Sequence, residues 1–504
     1  MCQKSSDSPE PKIYSAARPC LEVPEPAVLT GDEQKRKEIA QRLDTHGLLY
    51  SGKVVVDKDT KMLEMPESLA HYWDGDTTIA KEPPTVEFGI VPASPRFFGP
   101  SPRSTAGSGA YSREWSNWSQ AGYYQPTGKF YATVGDTDPF DGHLYVVEYD
   151  PKTKNLRCLP ELHKMLGTPD GQLRDAKIHG YLDIYEDQLW LCTYWTIYPE
   201  PAEADYATGY EGGHILSFDL GTGDMTDHGI PVKRVSWPYH RIDTKRGILY
   251  GLGFYGEFMA WDIKKRQLLY AGHPPRDMIW WWRAIMIDEV TGNVYSSYIY
   301  DPDNDVHMVK YDPHTNRFTK METRMPHCSA KHQVIDAEKP KEVDMMRANT
   351  LNRGPDGLLW GVTKQGEMWA FDPDTEKLKA KGVNWPGLMR YTCAMERSPS
   401  GRYIYYCPGA HGMAWTEGAP VVQFDTKALK KKVIAFLHPY YSQKYGYIPS
   451  GTFSIKLDEK GESLFCLWNG GFLEAQNSDK PDFHGFFGNC AIANIRIPAS
   501  ERVE

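Results

Sequence analysis

Short apolar runs that close on an aromatic residue followed by Asp recur along the chain: LYVVEYD, HILSFDL, EFMAWDI, HMVKYDP, EMWAFDP and VVQFDTK. The closing pairs are Tyr149-Asp150, Phe218-Asp219, Trp261-Asp262, Tyr311-Asp312, Phe371-Asp372 and Phe424-Asp425. Each opens a polar turn such as DPKTKN, DLGTGD, DPHTNR or DPDTEK. Ahead of each run stands a second strand signal with its own aromatic, at Tyr131, Trp190, Tyr250, Tyr295, Trp360 and Tyr405, and once more at Phe465. Seven anchors spaced 45 to 65 residues apart predict one four-stranded sheet repeated seven times, an all-β seven-bladed propeller.

The last unit, near 450–498, ends on AIANIRIP without a fourth strand. The segment TVEFGIVP at 85–92 is expected to supply it and close the ring, since an open edge invites aggregation. Three regions follow: a disordered tether over 1–28, an extension over 29–84, and the propeller over 85–498. Within the extension, Thr30-Gly31-Asp32-Glu33 resembles a capping box that starts a helix running to Leu43. The stretch 52–65 (GKVVVDKDTKMLEM) reads as a hairpin.

Counting back about eleven positions from each second-strand aromatic places the starts of the innermost strands. They fall near Gln120, His179, Tyr239-His240, Arg283, Arg347-Asn349, Arg390-Tyr391 and Ser450. The loop joining strands two and three returns to that same rim. These loops include GDTDPFDG (135–142), a long YWTIYPEPAEADYATGYEGG (194–213), FYGE (254–257) and PGAHGMAWTEGA (408–419). Binding sites are built from such loops on a rigid scaffold.

Composition narrows the chemistry. A formal charge of −9 over 504 residues, with no long basic block, argues against a nucleic-acid partner. Fifteen Trp and 31 Tyr suit blade packing and, in loops, stacking on sugar rings. There is no apolar run long enough to span a bilayer. Met1-Cys2 followed by a Ser/Pro-rich stretch fits either a lipid-anchored Cys2 or a chance second-position cysteine. The first reading places the protein at a bacterial surface, secreted or periplasmic, with the membrane touched only through that anchor. Cys192, Cys393, Cys407 and Cys466 fall in predicted strands, and no CxxC spacing occurs.

Several polar residues on the rim can carry chemistry. His179, in KIHG, stands at the start of an inner strand beside the long loop. Arg283 follows three tryptophans, Trp280 to Trp282, and could clamp a carboxylate or pack on the indoles. Tyr255, in the short loop of blade three, is a phenolic acid or base, or a stacked aromatic. His214 flanks the long insertion, although His143 and His307 repeat its position in other blades. Asp136, Asp138 and Asp141, and likewise Asp301, Asp303 and Asp305, are carboxylates at Ca²⁺-like spacing or ordinary turn residues. His327, Cys328 and His332 are a candidate Zn²⁺ set or a chance cluster.

On KIHG (177–180), GGHILSFDLGTGDMTDHGIPV (212–232), RGILYGLGFYGEFMAWDI (246–263) and WRAIMID (282–288), the chain resembles the seven-bladed propeller polysaccharide lyases, such as ulvan and rhamnose–glucuronate lyases. The likeness spans about residues 120–497. It implies β-elimination on an acidic polysaccharide, with His179 and Tyr255 as base and acid, His214 assisting and Arg283 neutralising the uronate. Trp195, Tyr210, His240, Arg347 and Arg390 become the expected substrate contacts. No cofactor is required, and a structural Ca²⁺ or Zn²⁺ ion stays open. The chain departs from that pattern in its longer 194–213 loop and in Glu257, where the family carries His. Two other classes stay open: a glycoside hydrolase using rim acids such as Glu211 and Glu257, and a non-catalytic binding propeller.

Overall fold

The aromatic–Asp pair ends the third strand of six blades, and its carboxylate starts the turn that follows. Asp150, Asp219, Asp262, Asp312, Asp372 and Asp425 each accept a backbone N–H two or three residues on. Four residues after each Asp the backbone turns left-handed, at Lys154, Gly223, Arg266, Asn316, Glu376 and Leu429. The side-chain hydrogen bond and the positive φ together reverse the chain into the fourth strand. A local chemical rule, repeated six times, therefore makes the outer hairpin of each blade.

The aromatics do a second job. The second-strand ring of one blade meets the third-strand ring of the next: Trp190 on Trp261 at 6.0 Å, Tyr250 on Tyr311 at 6.1 Å, Tyr295 on Phe371 at 5.1 Å and Trp360 on Phe424 at 5.9 Å. Phe465 and Tyr149 repeat the contact across the ring closure at 6.2 Å. Each such pair adds roughly 0.5–1.5 kcal/mol beyond its buried area, so the repeat fixes both blade shape and blade stacking.

The computed structural model describes residues 10–14, 38, 40–92, 115–136, 140, 142–195, 201–299, 305–328, 344–472 and 488–502. Seven antiparallel sheets follow in order, over 122–158, 184–227, 239–272, 286–324, 346–383, 396–436 and 447–496. This is the seven-bladed β-propeller expected from the repeat. Thr85–Ile90 pairs with Ala491–Arg496 along six residues and is the fourth strand of blade seven. Segments ahead of the propeller also add a fifth strand to three blades. Lys12–Tyr14 lies on blade two, Thr77–Ile79 runs parallel on blade six, and Val55–Asp57 lies outside Thr85–Ile90 on blade seven.

Two expectations for the segments ahead of the propeller need correction. The stretch 1–28 is not disordered throughout, because Lys12–Tyr14 pairs with Met225–Asp227 and Tyr14 packs on the blade-two core. The three-residue outer strand of blade two leaves an edge that this segment satisfies. The stretch 52–65 is not a hairpin. Only Val55–Asp57 is strand, and the Asp59 carboxylate caps a 3-10 turn over Thr60–Leu63 that buries Met62. Residue 38 and residues 40–43 are helical; the expected cap at Thr30 and the candidate anchor Cys2 lie outside the described residues.

The innermost strands are short where function was expected. Blade two pairs there only over Ile184–Tyr185, blade four over Met286–Ile287 and blade six over Glu396–Arg397. Segments just before these ladders run toward the axis and bond to neighbouring blades instead. Gln120 donates its N–H to the Gly180 carbonyl at 2.9 Å, and Tyr181 donates to the His240 carbonyl at 3.0 Å. Close approach is needed twice. A Cβ on Gly135 would collide with the Ala176 carbonyl, and one on Gly180 would collide with His240.

Candidate functional site

Six blades deliver side chains to one level of the axis through these inner segments. Blade one supplies Trp118, blade two Lys177 and His179, and blade four Trp282 and Arg283. Blade five supplies Arg347, blade six Tyr391 and Cys393, and blade seven Phe453. Trp118, Lys177, Trp282 and Arg283 are partly exposed, while His179, Arg347, Tyr391 and Phe453 are buried. The arrangement is a wet mouth over a dry floor.

His179 is boxed by rings: Trp118 stacks at 5.7 Å, and Phe453, Trp282 and Tyr194 meet it edge-on at 5.6, 6.1 and 6.2 Å. Neither imidazole nitrogen finds a hydrogen-bond partner, although the residue is only 2% exposed. Burial holds its pKa far below the ordinary value, and Arg283, Arg347 and Lys177 push the same way. The ring is neutral at physiological pH.

The cations share one phenol. Arg347 Nε donates to Tyr391 Oη at 2.6 Å, and Arg283 Nη1 reaches the same oxygen at 3.4 Å. Arg347 Nη2 donates to the Cys393 sulfur at 2.7 Å. Arg347 Nη1 and Arg283 Nε have no partner. The Arg283 guanidinium lies over Trp282 at 4.1 Å, and Lys177 Nζ lies over Trp118 at 4.5 Å. Among the described residues no carboxylate forms an ion pair with Lys177, Arg283 or Arg347. Burial, with Arg283 adding repulsion, brings the Lys177 pKa down to about 7. Such a cluster of unbalanced cations costs stability and favours an anion.

Of the residues singled out by sequence, His179, Arg283 and Arg347 meet here. Tyr255 stands one ring away: it packs on Phe254 at 5.0 Å and Trp195 at 6.5 Å, and Phe254 in turn touches Trp282 at 4.8 Å. Trp195 and Tyr210 are buried in that adjoining aromatic cluster and not at the mouth. Tyr210 donates to Asp175 at 2.8 Å, as does Thr193 at 2.5 Å. Burial lifts the Asp175 carboxyl to about 6 despite both bonds.

His214 is held by Asp227 at 3.0 Å on the far strand of blade two. Burial would lower its pKa, but Asp227, helped by Asp175 and Glu211, outweighs burial and the net shift is upward. His240 is walled in, its Nε2 accepting the Cys192 N–H at 3.3 Å. Arg390 is turned away, its Nε donating to the Trp385 carbonyl at 3.2 Å. Its neighbour Tyr391 faces the mouth instead.

The acids weighed for hydrolysis are engaged elsewhere. Glu211 pairs with Lys233 at 2.8 Å, and Glu257 accepts the Tyr255 N–H at 3.0 Å. Among the described residues no three His, Cys, Asp or Glu side chains converge as a metal site. Asp136 is bound to His143, Asp305 to Arg324 and His327 to Asp344. Asp138, Asp141, Asp301, Asp303 and His332 lie outside the described residues.

Sequence reading did not single out Lys177, Trp118 or Phe453, and it placed Tyr391 only as an inner-strand start. Alternation was the signal for the first, since Lys177 and His179 are two residues apart in an extended segment and share a face.

No family model matches this chain, and no curated protein matches its sequence. Among solved structures it is similar to the "Crystal structure of RRP9 WD40 repeats", with 10% identity over 76% of this chain and 95% of that chain at a TM-score of 0.44.

Proposed function

We propose that the mouth binds a uronate and that the protein is a polysaccharide lyase acting by β-elimination. The observation that carries this reading is the convergence of Arg283, Arg347 and Lys177 around a neutral, unpartnered His179 with no carboxylate among them. The C5 proton of a uronate is weakly acidic, because removing it builds charge on the adjacent carboxylate. Arg283 and Arg347 each keep an unpartnered N–H that can bond the carboxylate and strengthen as the enolate forms. His179 takes the C5 proton. Its basicity rises on binding, because the substrate anion offsets the three cations that suppress the imidazolium.

A second reading, a non-catalytic receptor for anionic glycans, draws on the placement of Tyr255, which Phe254 and Trp282 separate from His179. Both are tested by incubating the full chain with homopolymeric polyuronates and with glycans alternating uronate and neutral sugar. Ultraviolet absorbance of an unsaturated uronate is the expected product signal. His179→Ala should lower turnover by roughly a hundredfold or more with binding retained, and Arg347→Met should lose binding. Reducing ends without absorbance would point to hydrolysis, and binding without cleavage to a receptor.

A further inference from the structure

Lys177 sits two residues before His179 on one extended segment, pinned by backbone pairing with Tyr194. The Trp118 ring links the two side chains, with Lys177 Nζ 4.5 Å from its centroid and the His179 ring 5.7 Å away. Lys177 is partly exposed where His179 is buried. A sugar entering the mouth therefore meets the ammonium first and the imidazole deeper. We propose that Lys177 is the proton donor to the departing C4 oxygen, paired with His179 as the proton acceptor at C5. The assignment rests on the lyase reading.

The step balances. His179 removes the C5 proton, the C5–H electrons become the C4=C5 double bond, and the C4–O bond breaks toward the oxygen. That oxygen takes its proton from the Lys177 ammonium. The enzyme is left with imidazolium and neutral amine, and solvent proton exchange restores both. The charged and titratable groups around Lys177 are Arg283 from blade four, and Asp175 and His179 on its own segment. Asp175 is already committed to Thr193 and Tyr210. With Arg283 adjacent and burial acting together, the ammonium gives up its proton near neutrality, where a general acid is most effective.

The test compares two substrates, a cleavable polyuronate and a glucuronide bearing a dinitrophenyl ether at C4. The second leaving group needs no proton. Lys177→Met should lose roughly a hundredfold or more on the glycan but only a few-fold on the aryl ether, while His179→Ala loses activity on both. Equal losses by Lys177→Met on both substrates, or none on the glycan, would overturn the assignment while leaving the lyase reading intact. Wild-type protein that releases no unsaturated product from any substrate would overturn both. If the aryl ether is not accepted, pH dependence decides. The alkaline fall of kcat/KM should be present in wild type and missing in Lys177→Arg, whose guanidinium keeps its proton; the same fall in both would exclude Lys177.

Discussion

Two layers of the axis, two residues apart on the same strands, handle buried arginine in opposite ways. In the deeper layer, Arg241 donates to the Ile285 carbonyl at 3.1 Å, to Asn349 Oδ1 at 2.8 Å and to the Leu351 carbonyl at 2.8 Å. Asp183 and Glu396 stand near enough to feel its charge, and the guanidinium rests on Tyr181 at 4.6 Å. In the mouth layer, Arg347 sits two positions before Asn349, and His179 two before Tyr181. There the guanidinium keeps an unpartnered nitrogen, and among the described residues no acid pairs with it. The same scaffold satisfies one arginine and leaves another wanting, so the deficit belongs to the mouth and not to propeller axes in general.

The widest gap between the layers should appear on deleting the satisfied arginine. Arg241→Met leaves Asn349 Oδ1 and the Leu351 carbonyl without this donor and removes a cation whose charge Asp183 and Glu396 feel, and should cost about 3 kcal/mol in denaturant unfolding. An unchanged midpoint would mean that the deeper layer does not hold the blades together.

A smaller effect should come from Asp175, two residues before Lys177. Its folded pKa of about 6 lies above the ordinary carboxylate value, so the native state binds the extra proton. That contribution is fully present below the unfolded pKa and is gone once pH has risen through about 6. The stability difference between wild type and Asp175→Asn should therefore swing by roughly 2–3 kcal/mol across that window, with wild type relatively weaker at the alkaline side. A pH-independent difference would place the carboxyl in a wetter setting than its 3% exposure implies.

What could be read from the chain follows the range of the interaction. The Asp turn and the aromatic anchors act within a few residues or at a repeated spacing, so the sevenfold architecture was legible. Lys12–Tyr14 was not, because three residues carry no period and their partner strand lies more than 200 positions away. Counting back from Trp360 and Trp190 found Arg347 and His179. It found the Arg390-Tyr391 step too, but adjacent residues in an extended segment face opposite ways, and the count does not choose between them. The His214–Asp227 pair arises across the blade from its outer strand, and no local motif announces it.

The smallest stability effect is expected at Arg347 itself, and it is the sharpest test of the contrast. Methionine has similar length and fits a cage of Trp281, Tyr391 and Phe453, whose centroids lie 5.8, 4.9 and 5.6 Å from the guanidinium carbon. Losing the bond to Tyr391 matters little, because that oxygen keeps Arg283 at 3.4 Å, and a thiol is a weak acceptor. Against this stands relief from a buried, uncompensated charge, so Arg347→Met should change stability by no more than about 1 kcal/mol in either direction. Added glucuronate should then separate the proteins: at a hundredfold excess over Kd it stabilises wild type by about 2.7 kcal/mol and leaves the variant unmoved. A loss as large as that of Arg241→Met, with no response to glucuronate in wild type, would make both layers structural and remove the reason to place a substrate at the mouth.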